Sequence, residues 1–252
     1  MDGIFVIKSG QWETLKPEFC SFSNISVVDL KAGGSVPCHR HDCDEYLVIT
    51  AGRAELLLDD QKFVAGSGDI VAIPFGTRHQ IESISDDLTM ISLLDELRGA
   101  RRKGSLPVSA GESREFISEE GRYETGHVRL NEMPRINSAI LPPRTWFWLN
   151  QKPAWSRYTN ISMIYYKPGD FEKDYHFHEN LEYYILAEGQ ITAYVDGEKY
   201  IMHKGDIVVI SLGTNHQVLE VPVASTLVYV YDELYGLKRY GHLQDGRDER
   251  VI

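Results

Sequence analysis

Residues 37 to 46 read PCHRHDCDEY, and residues 174 to 183 read DYHFHENLEY. Each stretch sets two histidines one residue apart, His39 with His41 and His176 with His178, and places a glutamate, Glu45 or Glu182, four residues after the second. A third histidine follows each set, at His79 and His216. Three neutral imidazoles and one carboxylate suit a first-row divalent ion (iron, manganese, nickel, cobalt or zinc), with one or two coordination positions left for water or substrate. The donor types do not choose among these metals. A single His-x-His would read equally well as two hydrogen-bonded structural histidines, so repetition of the whole set is what carries the metal reading. The remaining histidines, His127, His203 and His242, fall outside the pattern and read as structural or exposed. Asp42 and Asp44 read as residues of a solvated turn, and Cys43 as a surface thiol within it.

The two sets belong to a longer internal repeat. A shift of 137 residues superposes all four candidate ligands without a gap, and 16 of the 42 positions from 39 to 80 are then identical, GDIV at 68–71 and 205–208 among them. NIS at 24–26 recurs at 160–162 with a shift of 136, so a one-residue insertion separates it from the histidines.

Each copy must be built from strands. Short runs such as ISVVDL, EYLVITA, AELLL and DIVAIP, answered by ITAYV, YIMH, DIVVIS and TLVYVY, are separated by Gly, Asp and Pro. VDGEKY at 195–200 carries a two-residue hairpin signal, and LDDQKF holds the equivalent place in the first copy. Many short strands without intervening helices predict an all-β sandwich or barrel. Helical turns are expected only in ISLLDELRGARRK and DELYGLKRYG. The polar stretch at 101–140 reads as a connector between an N-terminal barrel, 1–100, and a C-terminal one, 141–252, and the aromatics of PPRTWFWLNQKPAW read first as packing. Alternate strand residues share a face, so His39 and His41 point into one interior. Extending that alternation turns Pro37, Leu47 and Ile49 inward in the first copy and Asp174, Tyr184 and Leu186 in the second. Asp174 and Tyr184 therefore join Glu45 and Glu182 as candidate catalytic groups, with proton transfer beside the metal as their expected role. Tyr184 is equally readable as a core ring with a hydrogen-bonded hydroxyl.

The whole chain narrows the function classes. It has 252 residues, 42% of them hydrophobic, and a formal net charge of −11, which opposes phosphate backbones and makes nucleic acid an unexpected partner. Its apolar runs fall short of the roughly 20 residues a membrane helix needs, and the N-terminus lacks signal-peptide character, so a cytoplasmic protein is expected. Three cysteines without a CxxC pair predict reduced thiols.

GSVPCHRHDCDEYLVITAG with GDIVAIPFGTRH, and GDFEKDYHFHENLEYYILAEG with GDIVVISLGTNH, strongly resemble the two motifs of the cupin superfamily over residues 34–79 and 169–216. Ser211 stands where the motif usually has proline. The resemblance implies two tandem jelly-roll (double-stranded β-helix) barrels, a bicupin, with the eight ligands named above and up to one divalent ion per barrel. Among relatives of this kind, quercetinase-like dioxygenases make an oxygen-dependent dioxygenase on a small metal-chelating substrate the leading expectation. A redox-neutral isomerase, cyclase or decarboxylase follows it, and a non-catalytic binding module comes third. A homodimer is also implied.

Overall fold

The structure is a computed structural model. It describes residues 4–41, 43–84, 87–95, 106–107, 126–129, 148, 153, 156, 158–178, 180–232, 242–244 and 247–249. The strands, in chain order, are β1 Ile4–Ile7, β2 Phe22–Leu30, β3 Ser35–Arg40, β4 Glu45–Ala51, β5 Arg53–Leu58, β6 Gln61–Gly66, β7 Asp69–Ile73, β8 His79–Ser83 and β9 Leu88–Asp95. They continue as β10 Leu106–Pro107, β11 Gly126–Arg129, β12 Tyr158–Tyr166, β13 Glu182–Glu188, β14 Gln190–Val195, β15 Glu198–His203, β16 Ile207–Ile210, β17 His216–Glu220, β18 Ser225–Asp232, β19 His242–Gln244 and β20 Arg247–Glu249. One helical turn, α1 Trp12–Leu15, is the only helix longer than a residue among the described residues. None is long and apolar enough to cross a membrane. The all-β expectation holds. ISLLD, expected to carry helical turns, is instead strand β9, buried along its whole length between β4 and β2; the rest of that segment and most of DELYGLKRYG lie outside the described residues, as do most of the connector and of the aromatic stretch.

In the first barrel, one sheet runs β11-β7-β4-β9-β2 and the other β10-β3-β8-β5-β6, and every pairing is antiparallel. The second barrel repeats the plan as β1-β16-β13-β18-β12 and β15-β14-β17. The units formed are Phe19–Glu132 with Gln151–Trp155, and Met1–Glu18 with Met133–Asn150 and Ser156–Ile252. A boundary near residue 100 is therefore incomplete. The first 18 residues belong with the second barrel, because β1 pairs with β16, Ile4 opposite Ile210 and Ile7 opposite Ile207.

The inward faces are apolar at strand spacing. Leu47, Ile49, Leu56, Val71, Ile73, Ile81 and Met90 form the first core, and Leu186, Ile191, Val195, Val208, Ile210, Val218 and Leu227 part of the second. Hydrophobic burial of this kind is the main term holding each sandwich together. The VDGEKY hairpin closes β14 on β15 with Asp196 at φ 47 and Gly197 at φ 87, the positive values a two-residue turn demands.

Two glycines separate backbone conformation from close approach. Gly197 is left-handed with open space at its Cβ position, whereas a Cβ on Gly189 (φ 86) would meet the Ser225 hydroxyl and the Ala224 carbonyl. Gly197→Ala is expected to cost about 1–2 kcal/mol, the left-handed penalty alone. Gly189→Ala should cost clearly more and lower the melting temperature by at least twice as much, as measured by thermal unfolding followed by circular dichroism.

Candidate metal centres

The first histidine pair sits at the end of β3, Glu45 opens β4, and His79 opens β8. Between the pair and the third histidine a tight loop is tied back: Gly76 N donates to the His41 carbonyl at 2.7 Å, and Thr77 N to the Pro74 carbonyl at 3.2 Å. The second barrel reproduces this, with Gly213 N on the His178 carbonyl at 2.7 Å and Thr214 N on the Ser211 carbonyl at 3.2 Å. Ser211 thus makes the same turn as Pro74 and leaves His216 in place.

Four side chains converge in the first barrel, and all four are buried. His39 Nε2 lies 3.2 Å from His41 Nε2, and Glu45 Oε2 lies 3.4 Å from His41 Nε2 and 2.9 Å from His79 Nε2. In the second barrel Glu182 Oε2 is 3.4 Å from His178 Nε2 and 2.6 Å from His216 Nε2, and the rings of His176 and His216 are 4.5 Å apart. Ligand atoms at right angles, each about 2.1 Å from a first-row ion, stand about 3.0 Å apart, so these separations fit a coordination shell. The protein leaves the atoms free for it. Glu45 Oε2, His79 Nε2, Glu182 Oε2 and His216 Nε2 are buried and have no hydrogen-bond partner among the described residues, a costly state unless something else satisfies them. His39, His41, Glu45 and His79 form one compact donor group; His176, His178 and His216 form the other, with Glu182 just outside it.

The imidazoles are oriented from behind. His39 Nδ1 bonds the Pro37 carbonyl (2.7 Å), His79 Nδ1 the Thr77 carbonyl (2.9 Å), His176 Nδ1 the Asp174 carbonyl (3.0 Å) and His216 Nδ1 the Thr214 carbonyl (2.8 Å). A carbonyl only accepts, so the proton sits on Nδ1 and the Nε2 lone pair faces the site.

Strand parity places Leu47, Ile49, Tyr184 and Leu186 inward as expected, in the two cores, but fails before the histidines. In β3 the register steps from Val36 opposite Ile81 to His39 opposite His79, three residues against two, and this bulge turns Pro37 out to solvent while Val36 packs on the core. Asp174, expected inward as a proton-transfer group, is likewise exposed, and what it offers the site is its backbone carbonyl. Asp44 is buried, not solvated, and accepts the Phe75 N–H at 2.8 Å; Cys43 is buried too.

The carboxylate that does face the second interior is Glu172. It accepts the Tyr166 hydroxyl at 2.9 Å and the Val218 N–H at 2.7 Å, and burial holds its pKa above the usual carboxylate range despite those donors. Its place corresponds to Val36, because before the insertion the repeat runs at 136 residues; the NIS offset was the signal that finds it. By the same register Tyr166 replaces Leu30, Tyr184 replaces Leu47, Tyr229 replaces Ser92 and Tyr231 replaces Leu94. All four tyrosines are buried. The two ligand glutamates differ accordingly. Burial raises both, but the neighbouring imidazoles of His41 and His79 outweigh it and hold Glu45 far below its ordinary value, whereas Glu182, with His216 and Tyr231 opposing, stays above.

The family model described as a cupin domain matches residues 26–94 and again 162–228. An uncharacterized protein, y4oW, from Sinorhizobium fredii is 35% identical over 68 residues, which is 27% of this chain and 32% of that protein, so the chain matches about a third of its length. Hazelnut (Corylus avellana) vicilin is similar in fold with a TM-score of 0.65 at 13% identity, covering 91% of this chain and 80% of its own. A variant of Bacillus subtilis oxalate decarboxylase reaches 0.62 at 15% identity, covering 97% and 76%.

Protein reconstituted with a divalent ion is expected to hold two ions per chain, and His41→Ala one. Protonation of Nε2 displaces the ion, and Glu45 and Glu182 raise the pKa of His79 and His216 against the lowering effect of burial. Retention on dialysis, read by elemental analysis, should therefore begin to fall above about pH 6.5, the ordinary histidine value, and continue below it.

Proposed function

The chain belongs to the cupin family, and on that premise we propose that it is a metal-dependent enzyme whose second barrel reacts a small organic substrate that chelates the ion through carbonyl or hydroxyl oxygens. The observation that carries this reading is the replacement of four aliphatic side chains and one serine around one of two otherwise equivalent donor sets by Glu172 and buried phenols. A bound divalent ion would polarise the chelated oxygen as a Lewis acid. The chain's own groups then handle the proton. Glu172, paired with Tyr166 and with its pKa raised above the usual carboxylate range by burial, has the properties of a general acid–base. Tyr184, edge-on to His216 with ring centroids 5.7 Å apart, lies between that pair and the metal ligands in the same core. This equipment favours a redox-neutral reaction, an isomerisation, cyclisation or decarboxylation of a keto- or hydroxy-compound, over the dioxygenase that the resemblance puts first.

The dioxygenase reading keeps one supporting observation. Around the first donor set the inward residues are Leu47, Ile49 and Met90, and Glu45, ionised and bonded by the Ser92 hydroxyl at 2.6 Å, is the sole acidic group of that set. A hydrophobic chelating substrate that reacts with dioxygen would need no further acid or base there.

The metal-loaded protein, screened against keto acids, hydroxy acids and sugars with and without oxygen, separates the two. Turnover is expected to persist without oxygen, to survive His41→Ala and Asp174→Asn, and to fall about 10²- to 10⁴-fold in Glu172→Gln with the ion retained. A dead His41→Ala beside a fully active Glu172→Gln would move the reaction to the first barrel and to oxygen chemistry.

A further inference from the structure

The second donor set has a neighbour that its sequence motif does not contain. The Tyr231 hydroxyl lies 3.1 Å from His178 Nε2 and close enough to Glu182 to oppose the rise in its pKa, and its ring stands 4.5 Å from the His178 ring. The position follows from the sheet. Tyr231 on β18 is the register partner of Glu182 on β13, and directly opposed side chains on neighbouring strands share a face. The corresponding pair in the first barrel is Glu45 with Leu94, which offers no donor atom.

Ligand spacing applies to this oxygen as it does to the others. Its distance from His178 Nε2, 3.1 Å, falls between the 2.6 and 3.4 Å that separate Glu182 Oε2 from His216 and His178, and close to the roughly 3.0 Å of adjacent ligands on a first-row ion. The three imidazoles form a compact group that Glu182 does not complete, in contrast to Glu45 in the first barrel. An oxygen donor is wanted where Tyr231 stands.

We propose that Tyr231 is a ligand of the metal ion in the second barrel, its phenolate oxygen taking a coordination position that has no protein donor in the first. The phenol proton is released to solvent as the oxygen–metal bond forms, since a bound cation stabilises the anion in a site where it would otherwise stay protonated. A hard, anionic oxygen added to three imidazoles favours a more highly charged ion, so the second barrel is assigned a preference for ferric over ferrous iron that the first lacks. The inference rests on the second barrel being a metal site.

The test uses metal alone. Protein loaded anaerobically with ferrous iron and then oxidised in air should develop the visible phenolate-to-iron(III) charge-transfer band, and iron is counted in the same samples. The band is expected in the wild type and in His41→Ala, where only the second site remains, and is expected to vanish in Tyr231→Phe while iron stays bound there. If Tyr231→Phe does not fold, persistence of the band in Tyr166→Phe, Tyr184→Phe and Tyr229→Phe, with His41→Ala retaining it, assigns it to Tyr231. Iron bound in His41→Ala without a band, or a band that survives Tyr231→Phe, overturns the ligand role and leaves the metal site standing. His41→Ala that binds no iron removes the second metal site and this inference with it.

Discussion

Everything at the two centres depends on a hydrogen bond that each outer histidine makes to its own backbone. His39, His79, His176 and His216 all donate from Nδ1 to the carbonyl two residues earlier, at 2.7 to 3.0 Å. The bond fixes tautomer and ring orientation together, so that these four imidazoles present Nε2 to the site. Because the acceptor is backbone, the side chain that carries it is unconstrained, and Pro37, Thr77, Asp174 and Thr214 serve equally. What the arrangement does constrain is main-chain conformation. The bulge before His39 and the glycine turns at Gly76 and Gly213 are how the chain satisfies it, each turn hydrogen-bonded to the carbonyl of the second histidine.

That dependence explains what could be read in the sequence. The eight candidate ligands, the repeat, the strands and the hairpin were legible because each is written in residue type at fixed spacing. Parity held along β4 and β13, where pairing is regular from Glu45 to Ile49 and from Glu182 to Leu186. It failed at Pro37 because a bulge changes the count without changing composition, and at Asp174 because the segment before His176 is not a regular strand, so alternation read backwards from the histidines arrives on the wrong face. Asp44 looked solvated for a related reason. A carboxylate in a turn is exposed by default, and only the fold reveals that the Phe75 amide needs it as an acceptor. ISLLD read as a possible helix because a continuously apolar run has no period, and burial on both faces of β9 produces such a run.

The two barrels share one backbone plan and differ in what fills it. The first surrounds its donors mainly with aliphatic groups, Ser92 excepted. The second buries four phenols and sets a half-buried second carboxylate beside them, each of which loses hydration and must recover it from a protein partner. Some of that recovery is visible: Tyr166 with Glu172, Glu172 with the Val218 amide, Tyr231 with His178. A core selected for stability alone would follow the first pattern, so the second has been shaped by something it must do.

The consequence reaches the ligand glutamates, which occupy the same place in both motifs. Glu45 has the Ser92 hydroxyl and two imidazoles as partners, and they hold it ionised against burial. Glu182 faces Tyr231 on the neighbouring strand, and burial keeps its pKa up against the opposing effects of His216 and Tyr231. An entering cation therefore finds a preformed anion in the first barrel. In the second the glutamate's pKa is held above its ordinary value and a phenol stands beside it, which ties metal binding there more closely to proton release. Identical ligand letters thus specify two different sites, and the difference lies in five positions that line the interior without belonging to the motif.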